Sequence, residues 1–409
     1  MKHMKILIEL YDNEPIYNYL ASVVFRPDKV YFVGSEDIKR EKCRRKTEKF
    51  ADLMGLNCKF VYRAAKSNDF GETKSAIEKI IAEERANGNK CVIDVTGGRD
   101  LALVAAGCLM DEGTEIINFD KETNIFKNLS DGSSKNVDAG IPCNAFITAA
   151  GGTIYENTRN LNYTPDEWEL IKKINRIYFE NREVWTRFVK YLQRISKKEG
   201  EKVGDSLDIS APLTLTEGGR TYSGNETVLR ELERAGAVKC LEIGGSKISF
   251  SYVSPAMANL LVNEGVWLEI SVYMIAKEMP CFFDAQTGVK FIWDIPAEGK
   301  SVHSMIADST PRNEVDVMLS KGVTPVFISC KTRFPINEDL NELYAIKEHF
   351  GGEMATAILA TTKFVDSDCP VAERAKAMGI KIIDERNFEN GTAAQRLLRL
   401  TGDKNANRK

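Results

Sequence analysis

This sequence has few histidines and no closely spaced pair of cysteines. Its 409 residues include three histidines, His3, His303 and His349, and nine cysteines without a single CxxC pair. So few histidines argue against a histidine-based metal centre or a Ser-His-Asp triad. The scattered cysteines argue against a zinc ribbon or a disulfide framework and fit reduced thiols in a cytoplasm. Chemistry based on carboxylates is therefore the expectation.

Long apolar runs and a net positive charge are absent as well. No segment approaches the roughly 18 consecutive apolar residues that span a bilayer. The first residues, MKHMKILIEL, lead directly into an apolar segment without a signal-peptide cleavage site. We therefore expect a soluble, cytoplasmic protein of two or three domains that does not bind membranes. The net charge of −3 excludes a globally basic nucleic-acid coat, so contacts with nucleic acid must come from local patches.

The stretch with the most candidate catalytic residues is 313–331, NEVDVMLSKGVTPVFISCK. Its pattern predicts two short strands joined by a turn. Strand alternation places Glu314 and Asp316 on one face of the first strand, and Ser329 and Lys331 on one face of the second. With the turn centred on the Lys-Gly dipeptide, Ser329 should lie opposite Glu314.

Two carboxylates, a hydroxyl and an ammonium on one face of a hairpin suit phosphodiester hydrolysis. Carboxylates bind Mg²⁺ or Mn²⁺, which lower the pKa of a bound water and neutralise charge on phosphoryl oxygens. A neighbouring lysine can orient that water or stabilise the transition state. The alternative is an exposed hairpin with ordinary surface charges. Lys331 favours the site, because it ends the otherwise apolar strand PVFISCK.

Residues 4–150 alternate apolar strand segments with helical segments. This repetition predicts an α/β domain with a mostly parallel, doubly wound sheet, whose ligands bind at the carboxyl ends of the strands. A loop there contains Asp12 and Asn13, which could contact a base or ribose. The alternative is that these two residues cap the first helix.

A second loop at the same edge reads Thr96-Gly97-Gly98-Arg99. Its glycines allow close approach of the backbone to a ligand, and the N-terminus of the helix that follows favours an anion. Arg99 adds a forked donor for phosphate. A Gly-Gly pair that only makes a tight turn is the alternative.

The remaining chain predicts a connector followed by a second α/β domain. A helix with a two-stranded wing, near residues 227–253, resembles a winged-helix module. Its helix carries two arginines and two glutamates, so we interpret this segment as a structural connector. The next helix, within NEGVWLEISVYMIAKEM, places Glu269 in an apolar stripe. A buried glutamate is costly unless it is paired or bound to metal; the alternative is a glutamate at the edge of the stripe that reaches water.

Both halves resemble one known architecture, in the same order. The hairpin with Asp316 and Ser329-Cys330-Lys331 resembles the core of the PD-(D/E)xK nuclease superfamily. The phrase NEVDVML…VFISCKT resembles the nuclease half of the CRISPR ancillary nucleases that carry an N-terminal CARF (CRISPR-associated Rossmann fold) sensor. The opening IELYDNEPIYNYLASVVFRPDKVYFVGS, the Thr-Gly-Gly loop and IPCNAFITAAGG resemble the CARF domain.

The resemblance implies three domains. They are a Rossmann-like CARF sensor over residues 1–155, a helical, winged-helix-like connector over 156–262, and a PD-(D/E)xK, restriction-endonuclease-like domain over 263–409. The similarity itself covers roughly residues 4–155 and 262–385.

The function that this resemblance implies is a cyclic tetra-adenylate-activated, metal-dependent endonuclease. It would cleave single-stranded RNA, DNA or both in type III CRISPR antiviral defence. Asp316 and Glu269 would ligate Mn²⁺ or Mg²⁺, because GVWLE matches the helix that supplies a ligand glutamate, and Lys331 would position the water or stabilise the transition state. The Thr-Gly-Gly loop would bind the cyclic oligoadenylate. Because the ligand ring is two-fold symmetric, a homodimer that closes around it is expected.

Two positions depart from the family pattern. The superfamily has an acidic residue where this chain has Ser329, and Glu314 or Glu269 could supply the missing ligand. The usual CARF loop is Thr-Gly-Gly-Thr-Lys, and here Arg99-Asp100 replaces its last two residues, so Arg99 could serve for the lysine.

Two alternatives to the nuclease concern the same chain. Ser329 favours a non-catalytic, ligand-controlled DNA-binding regulator with a degenerate nuclease fold. A HEPN-type ribonuclease attached to the same sensor is excluded, because neither His303 nor His349 follows an arginine by four to six residues.

Overall fold

The computed structural model describes residues 3–110, 114–157, 163–196, 206–307 and 311–402. The first half forms a seven-stranded sheet in the order β3-β2-β1-β4-β5-β6-β7, of which the first five strands are parallel. Its elements are β1 (Lys5–Leu10), α1 (Tyr17–Phe25), β2 (Lys29–Gly34), α2 (Glu41–Met54), β3 (Lys59–Ala64), α3 (Phe70–Ala86), β4 (Lys90–Asp94), α4 (Asp100–Gly107), β5 (Thr114–Asp120), β6 (Ile125–Asn128), β7 (Ser134–Asn136) and α5 (Cys143–Ala149).

Alternating side chains of the central strand β1 explain why helices cover both faces of this sheet. Ile6, Ile8 and Leu10 pack in one buried cluster with residues of α3 and α4. Leu7 lies in another cluster, with residues of α1 and α2. A parallel strand buried on both faces needs this continuous apolar character.

A mixed segment follows the first sheet. It contains a three-stranded sheet in the order β12-β13-β9 and a separate hairpin, β10-β11. Its elements are β8 (Thr153–Asn157), α6 (Pro165–Glu180), α7 (Arg182–Ile195), β9 (Asp208–Pro212), β10 (Thr214–Glu217), β11 (Arg220–Ser223), α8 (Glu226–Ala235), β12 (Val238–Gly244), β13 (Lys247–Tyr252) and α9 (Pro255–Leu261). Helix α8 and the β12–β13 wing match the winged-helix-like connector expected from the sequence.

The last part forms a six-stranded sheet in the order β18-β17-β16-β15-β14-β8. Strand β8 crosses the predicted boundary at residue 155 and pairs with β14; the domain boundaries themselves stay predictions. The elements are α10 (Val266–Lys277), β14 (Asp284–Ile292), α11 (Val302–Ala307), β15 (Arg312–Lys321), β16 (Thr324–Lys331), α12 (Asn337–Phe350), β17 (Thr356–Thr361), α13 (Pro370–Ala377), β18 (Ile380–Ile383), α14 (Glu385–Glu389) and α15 (Ala393–Leu400).

The two large sheets share one hydrophobic core. A single buried cluster includes Leu7 of the first sheet, Phe146 of α5, Met318 and Phe327 of the second sheet, and Phe350 of α12. Apolar burial of this extent stabilises the packing of the two halves against each other. Within the part of the chain that the structure describes, no helix has both the length and the apolar character needed to cross a membrane.

Candidate active site and ligand cavity

The hairpin β15–β16 has a different register from the one expected. Val317 pairs with Ile328, and the last pair before the turn is Lys321 with Thr324. The turn is therefore the dipeptide Gly322-Val323, with Gly322 at φ +64°. A glycine with positive φ at the first central position suits the tight hairpin turns whose twist matches the strands. The expectation that Ser329 lies opposite Glu314 is wrong by two residues.

The corrected register brings three of the predicted residues together. Continuing it beyond Val317 places Ser329 opposite Asp316, and the Ser329 hydroxyl donates to Asp316 Oδ2 at 3.3 Å. The backbone N–H of Cys330 donates to the same oxygen at 2.6 Å. Lys331 Nζ lies 3.9 Å from it. A shift of two residues preserves the strand face, so the predicted side chains still meet.

A second carboxylate, Asp339 of α12, also touches this group. Its Oδ1 lies 3.9 Å from Lys331 Nζ, and its side chain is 7% exposed. Arg333 forms a fork with both of its oxygens. Sequence reasoning missed Asp339, although an acidic residue only eight positions after Lys331 was a usable signal.

Glu269 lies in the first turn of α10, which packs against β14, β15 and β16. Its side chain is buried, and one of its oxygens lies near Gly265. The sheet face below α10 carries Val317 and Ile328, which alternate along their strands with Asp316 and Ser329. Helix α10 therefore covers the opposite face of the hairpin from Asp316 and Ser329, and the role of Glu269 as a metal ligand stays a prediction.

Glu314 lies in a different environment. It is exposed and lines a cavity of about 650 Å³, together with Glu156, Lys290 and Glu342. On the sheet it pairs with Lys290 of β14. The geometric reason for expecting Glu314 beside Ser329 therefore no longer holds.

The donor set suits a hard cation that is held loosely by the protein. Among the described residues, no three or more His, Cys, Asp or Glu side chains are grouped so that they could hold a metal ion. Asp316 offers a partly exposed carboxylate with the Ser329 hydroxyl beside it. Mg²⁺ and Mn²⁺ sites of this kind take one or two carboxylates and fill the remaining positions with water and phosphate oxygens.

The second region of interest is a cavity of about 430 Å³ at the carboxyl ends of β1 to β4. Of the predicted ligand-binding residues, Asn13 and Arg99 line it. Arg99 is exposed at the N-cap of α4, and its side chain makes no hydrogen bond or ion pair with any described residue. Ser35 and Lys66 also line the cavity. Sequence reasoning missed both, although Ser35 directly follows β2 and Lys66 lies two residues after β3, where ligands bind in parallel sheets.

Asp12, Gly97 and Gly98 shape the cavity wall. Asp12 Oδ2 accepts a hydrogen bond from the Gly98 N–H at 2.7 Å, and its Oδ1 accepts one from Glu14 N–H at 2.7 Å. A Cβ added to Gly97 would lie 2.8 Å from the Asp12 Cβ, and Gly98 has φ +102°. Gly97 therefore lets the loop pass Asp12, and Gly98 is needed for its positive φ and its close approach to Leu10. Of Asp12 and Asn13, the two candidates in the loop after β1, it is Asp12 that makes turn-capping bonds.

Thr96 points into the protein. Its hydroxyl donates to Asp94 Oδ1 at 2.5 Å and accepts from the Phe119 N–H at 2.9 Å. Asp94 also accepts the backbone N–H of Thr96. Thr96 thus ties the glycine loop to strands β4 and β5.

Two buried acids lie below the loop. Glu9 of β1 and Asp94 of β4 occupy paired positions on neighbouring strands. Burial raises the pKa of Asp94 to about 7. Burial, followed by the charge of Asp94, raises the pKa of Glu9 well above its ordinary value. The two carboxyl groups therefore do not both carry charge near neutral pH.

The loop after β1 also reaches the second half of the chain. Glu14 Oε2 accepts the backbone N–H of Glu353, which lies between α12 and β17, at 3.1 Å. Lys121 pairs with the Glu353 side chain at 2.8 Å. The loop between β1 and α1 therefore places Asn13 at the cavity and Glu14 against the second sheet domain.

Comparison with known proteins gives a clear result for fold alone. No protein-family model matches the sequence, and no curated protein does. Among solved structures, protein VC1899 from Vibrio cholerae has a TM-score of 0.75 at 17% identity, over 98% of this chain and 99% of its own. Can2 from Sulfobacillus thermosulfidooxidans, solved in complex with cyclic tetra-adenylate, has a TM-score of 0.65 at 14% identity, over 97% and 99%.

A third solved structure is a type III CRISPR defence DNA nuclease activated by cyclic oligoadenylate. It has a TM-score of 0.53 at 15% identity, covering 95% of this chain and 52% of the nuclease. The predicted fold class, an α/β chain with a CARF-type domain and a nuclease-like domain, is thereby confirmed. At these identities the similarity shows the architecture, and function has to be argued from the sites.

Proposed function

We propose that this protein is a nuclease that cyclic tetra-adenylate activates and that cleaves single-stranded RNA, DNA or both in type III CRISPR defence. The observation that carries this proposal is the grouping of Asp316, Ser329 and Lys331 at the end of one hairpin. The fold supports it, because structural neighbours include Can2 with bound cyclic tetra-adenylate and a nuclease activated by cyclic oligoadenylate.

At the nuclease site, Asp316 and Glu269 would hold Mn²⁺ or Mg²⁺. Such an ion supplies Lewis acidity and an activated water when it is bound. Lys331 would place its ammonium beside the scissile phosphate and stabilise the charge that develops on its oxygens. The Ser329 hydroxyl, already bonded to Asp316, would keep that carboxylate oriented.

At the sensor site, Arg99 and Lys66 would contact phosphates of the cyclic ligand. Both cations line the cavity, and the N-terminus of α4 begins beside it without a side-chain cap. Free N–H groups at a helix N-terminus favour an anion. Asn13 and Ser35 would add polar contacts to the sugar or base.

The surface next to Arg99 supports a homodimer. Helix α4 exposes Leu101 (44%) and Val104 (56%), two and five residues after Arg99. Adjacent exposed apolar side chains favour a protein contact. A two-fold related copy docked here would bring two cavities together, each binding half of a two-fold ring.

Activation would pass through the loop that contains Asn13 and Glu14. A ligand that contacts Asn13 would shift the adjoining Glu14–Glu353 contact and with it the connection between α12 and β17. The ligand can bias the nuclease half only as far as it binds the active arrangement more tightly.

The second candidate function is a non-catalytic, ligand-controlled DNA-binding regulator. Ser329 favours it, because a hydroxyl stands where the superfamily has a carboxylate. In that case the hairpin would bind nucleic acid without cutting it.

The test is to incubate purified protein with labelled single-stranded RNA and DNA, with Mn²⁺ or Mg²⁺, with and without cyclic tetra-adenylate. The nuclease proposal expects cleavage that requires both the metal and the ligand. Binding of nucleic acid without cleavage under every condition would instead establish the regulator.

A further inference from the structure

Lys331 has two carboxylate neighbours, and only one of them belongs to the nuclease motif. Its Nζ lies 3.9 Å from Asp316 Oδ2 and 3.9 Å from Asp339 Oδ1. Asp316 is the proposed metal ligand. If a cation neutralises Asp316, Asp339 is the remaining negative charge that holds the lysine in place.

The hydrogen bonds of Asp339 suit a fixed counter-charge better than a metal ligand. Arg333 donates to both of its oxygens, each at 2.8 Å, and the backbone N–H of Ile336 donates to Oδ2 at 2.9 Å. With Lys331 beside Oδ1, each oxygen has two positive or donor neighbours. A forked Arg–carboxylate pair is among the more rigid side-chain contacts in proteins.

The backbone on the other side of Lys331 is fixed as well. The Lys331 carbonyl accepts the N–H of Thr362 at 3.3 Å, and the Arg333 carbonyl accepts the Thr361 hydroxyl at 3.1 Å. The end of β17 therefore holds residues 331–333, while α12 supplies Asp339. The lysine is held at both its backbone and its ammonium.

We propose that Asp339 is a positioning residue that fixes Lys331 for the reaction at Asp316. The inference rests on the proposed nuclease function. It also explains how the site keeps its lysine oriented with a neutral serine at position 329. The motif has an acidic residue on β16 where this chain has Ser329. Asp339 of α12 replaces that acid only as a counter-charge for Lys331, and not as a metal ligand.

The test compares Asp339→Asn with wild type and with Glu338→Gln. Asparagine keeps the shape and can still accept from Ile336 but loses the charge. Glu338 is an exposed acid in the same first helical turn, so it controls for the helix dipole. We expect Asp339→Asn to lower kcat about 10- to 100-fold, the usual cost of removing an outer-shell partner. We expect KM for nucleic acid and the Mn²⁺ affinity measured by calorimetry to stay unchanged.

Further variants separate positioning from folding. Asp339→Glu, which restores the charge, should recover part of kcat, and Arg333→Gln, which loosens the fork but keeps Asp339, should lower kcat less. If Asp339→Asn fails to fold, Arg333→Gln and Asp339→Glu carry the test. The proposal is overturned if Asp339→Asn has the kcat of wild type. If Asp339→Asn does not fold, a wild-type kcat in Arg333→Gln overturns it instead. Loss of Mn²⁺ binding in Asp339→Asn would overturn it too, since Asp339 would then be a metal ligand.

A readout that needs no activity separates this inference from the proposed function. Crystal structures of wild type and Asp339→Asn, or Arg333→Gln if the first variant does not fold, report the position of Lys331 Nζ directly. We expect Nζ to leave its place between the two carboxylates in the variant. If it stays, the positioning role is refuted. If wild type cleaves no nucleic acid but Lys331 moves as expected, the nuclease proposal fails and the positioning contact stands.

Discussion

The substitution Asp94→Asn tests the raised pKa of the buried carboxyl group below the proposed ligand cavity. Asp94 is fully buried, pairs in register with Glu9, and anchors Thr96 of the glycine loop through its Oδ1. Asparagine has nearly the same shape and keeps an oxygen that can accept both bonds from Thr96. The substitution therefore removes one ionisable group and leaves the loop anchor in place.

The expected size follows from the pKa of Asp94, which burial raises from 3.8 to about 7. The native state then binds the proton more tightly than the unfolded chain does. The stabilisation by this proton is complete below pH 3.8 and is lost as the pH rises to about 7. A shift of about 3 units at 1.36 kcal/mol per unit corresponds to about 4 kcal/mol. Because Asp94 also helps to raise the pKa of Glu9, its removal acts in the same direction there.

The assay is urea unfolding of wild type and Asp94→Asn from pH 4 to pH 8. Relative to wild type, the variant should gain about 4 kcal/mol of unfolding free energy across this range, with little further change above pH 7. Asp52→Asn, which removes an exposed carboxylate on α2, serves as the matched control and should show no such trend. A difference between Asp94→Asn and wild type that does not vary with pH would refute the reasoning.

The other predictions concern ligand binding, coupling and metal affinity. Arg99→Ala should weaken binding of cyclic tetra-adenylate about 10- to 100-fold by calorimetry, the cost of a lost charge-assisted contact, and unchanged affinity would place the ligand elsewhere. Glu14→Gln should leave that affinity nearly intact but reduce the ratio of cleavage rates with and without ligand; full stimulation would exclude the Glu14–Glu353 contact from activation. Ser329→Glu should lower the Mn²⁺ concentration needed for half-maximal activity, because it adds a carboxylate beside Asp316; an unchanged requirement would separate Ser329 from the metal.

Sequence patterns were most informative where local periodicity and packing agree. The alternation predicted for residues 4–150 is present: strands β1 to β5 are parallel, and helices α1 to α4 connect them. A cavity lies at the carboxyl ends of the strands, where the βα repetition predicts a ligand, and its role as the ligand site stays a prediction.

The hairpin register depended on a detail that alternation does not determine. The prediction centred the turn on Lys321-Gly322, whereas the pairing of Lys321 with Thr324 and the positive φ of Gly322 make Gly322-Val323 the turn. The predicted register placed Glu314 opposite Ser329, whereas the observed register places Asp316 there. Because the shift was by two residues, the prediction of which side chains share a face survived.

Contacts between elements distant in sequence were beyond pattern analysis. Asp339 meets Lys331 only because α12 packs against β16, and Glu9 meets Asp94 only because β1 and β4 are neighbours in the sheet. Within the apolar segment KILIEL, Glu9 has no local feature that marks it as half of a buried pair.

We propose above that the site formed by Asp316 and Lys331 cleaves nucleic acid when the sensor domain binds its cyclic ligand. The most direct measurement is single-turnover cleavage of labelled single-stranded RNA and DNA by wild type and Lys331→Ala, with Mn²⁺ and saturating cyclic tetra-adenylate. We expect the variant to be slower by about 10²–10³, the cost of losing one electrostatic stabiliser, while its affinity for the cyclic ligand is unchanged. Cleavage by Lys331→Ala at the wild-type rate would contradict the account.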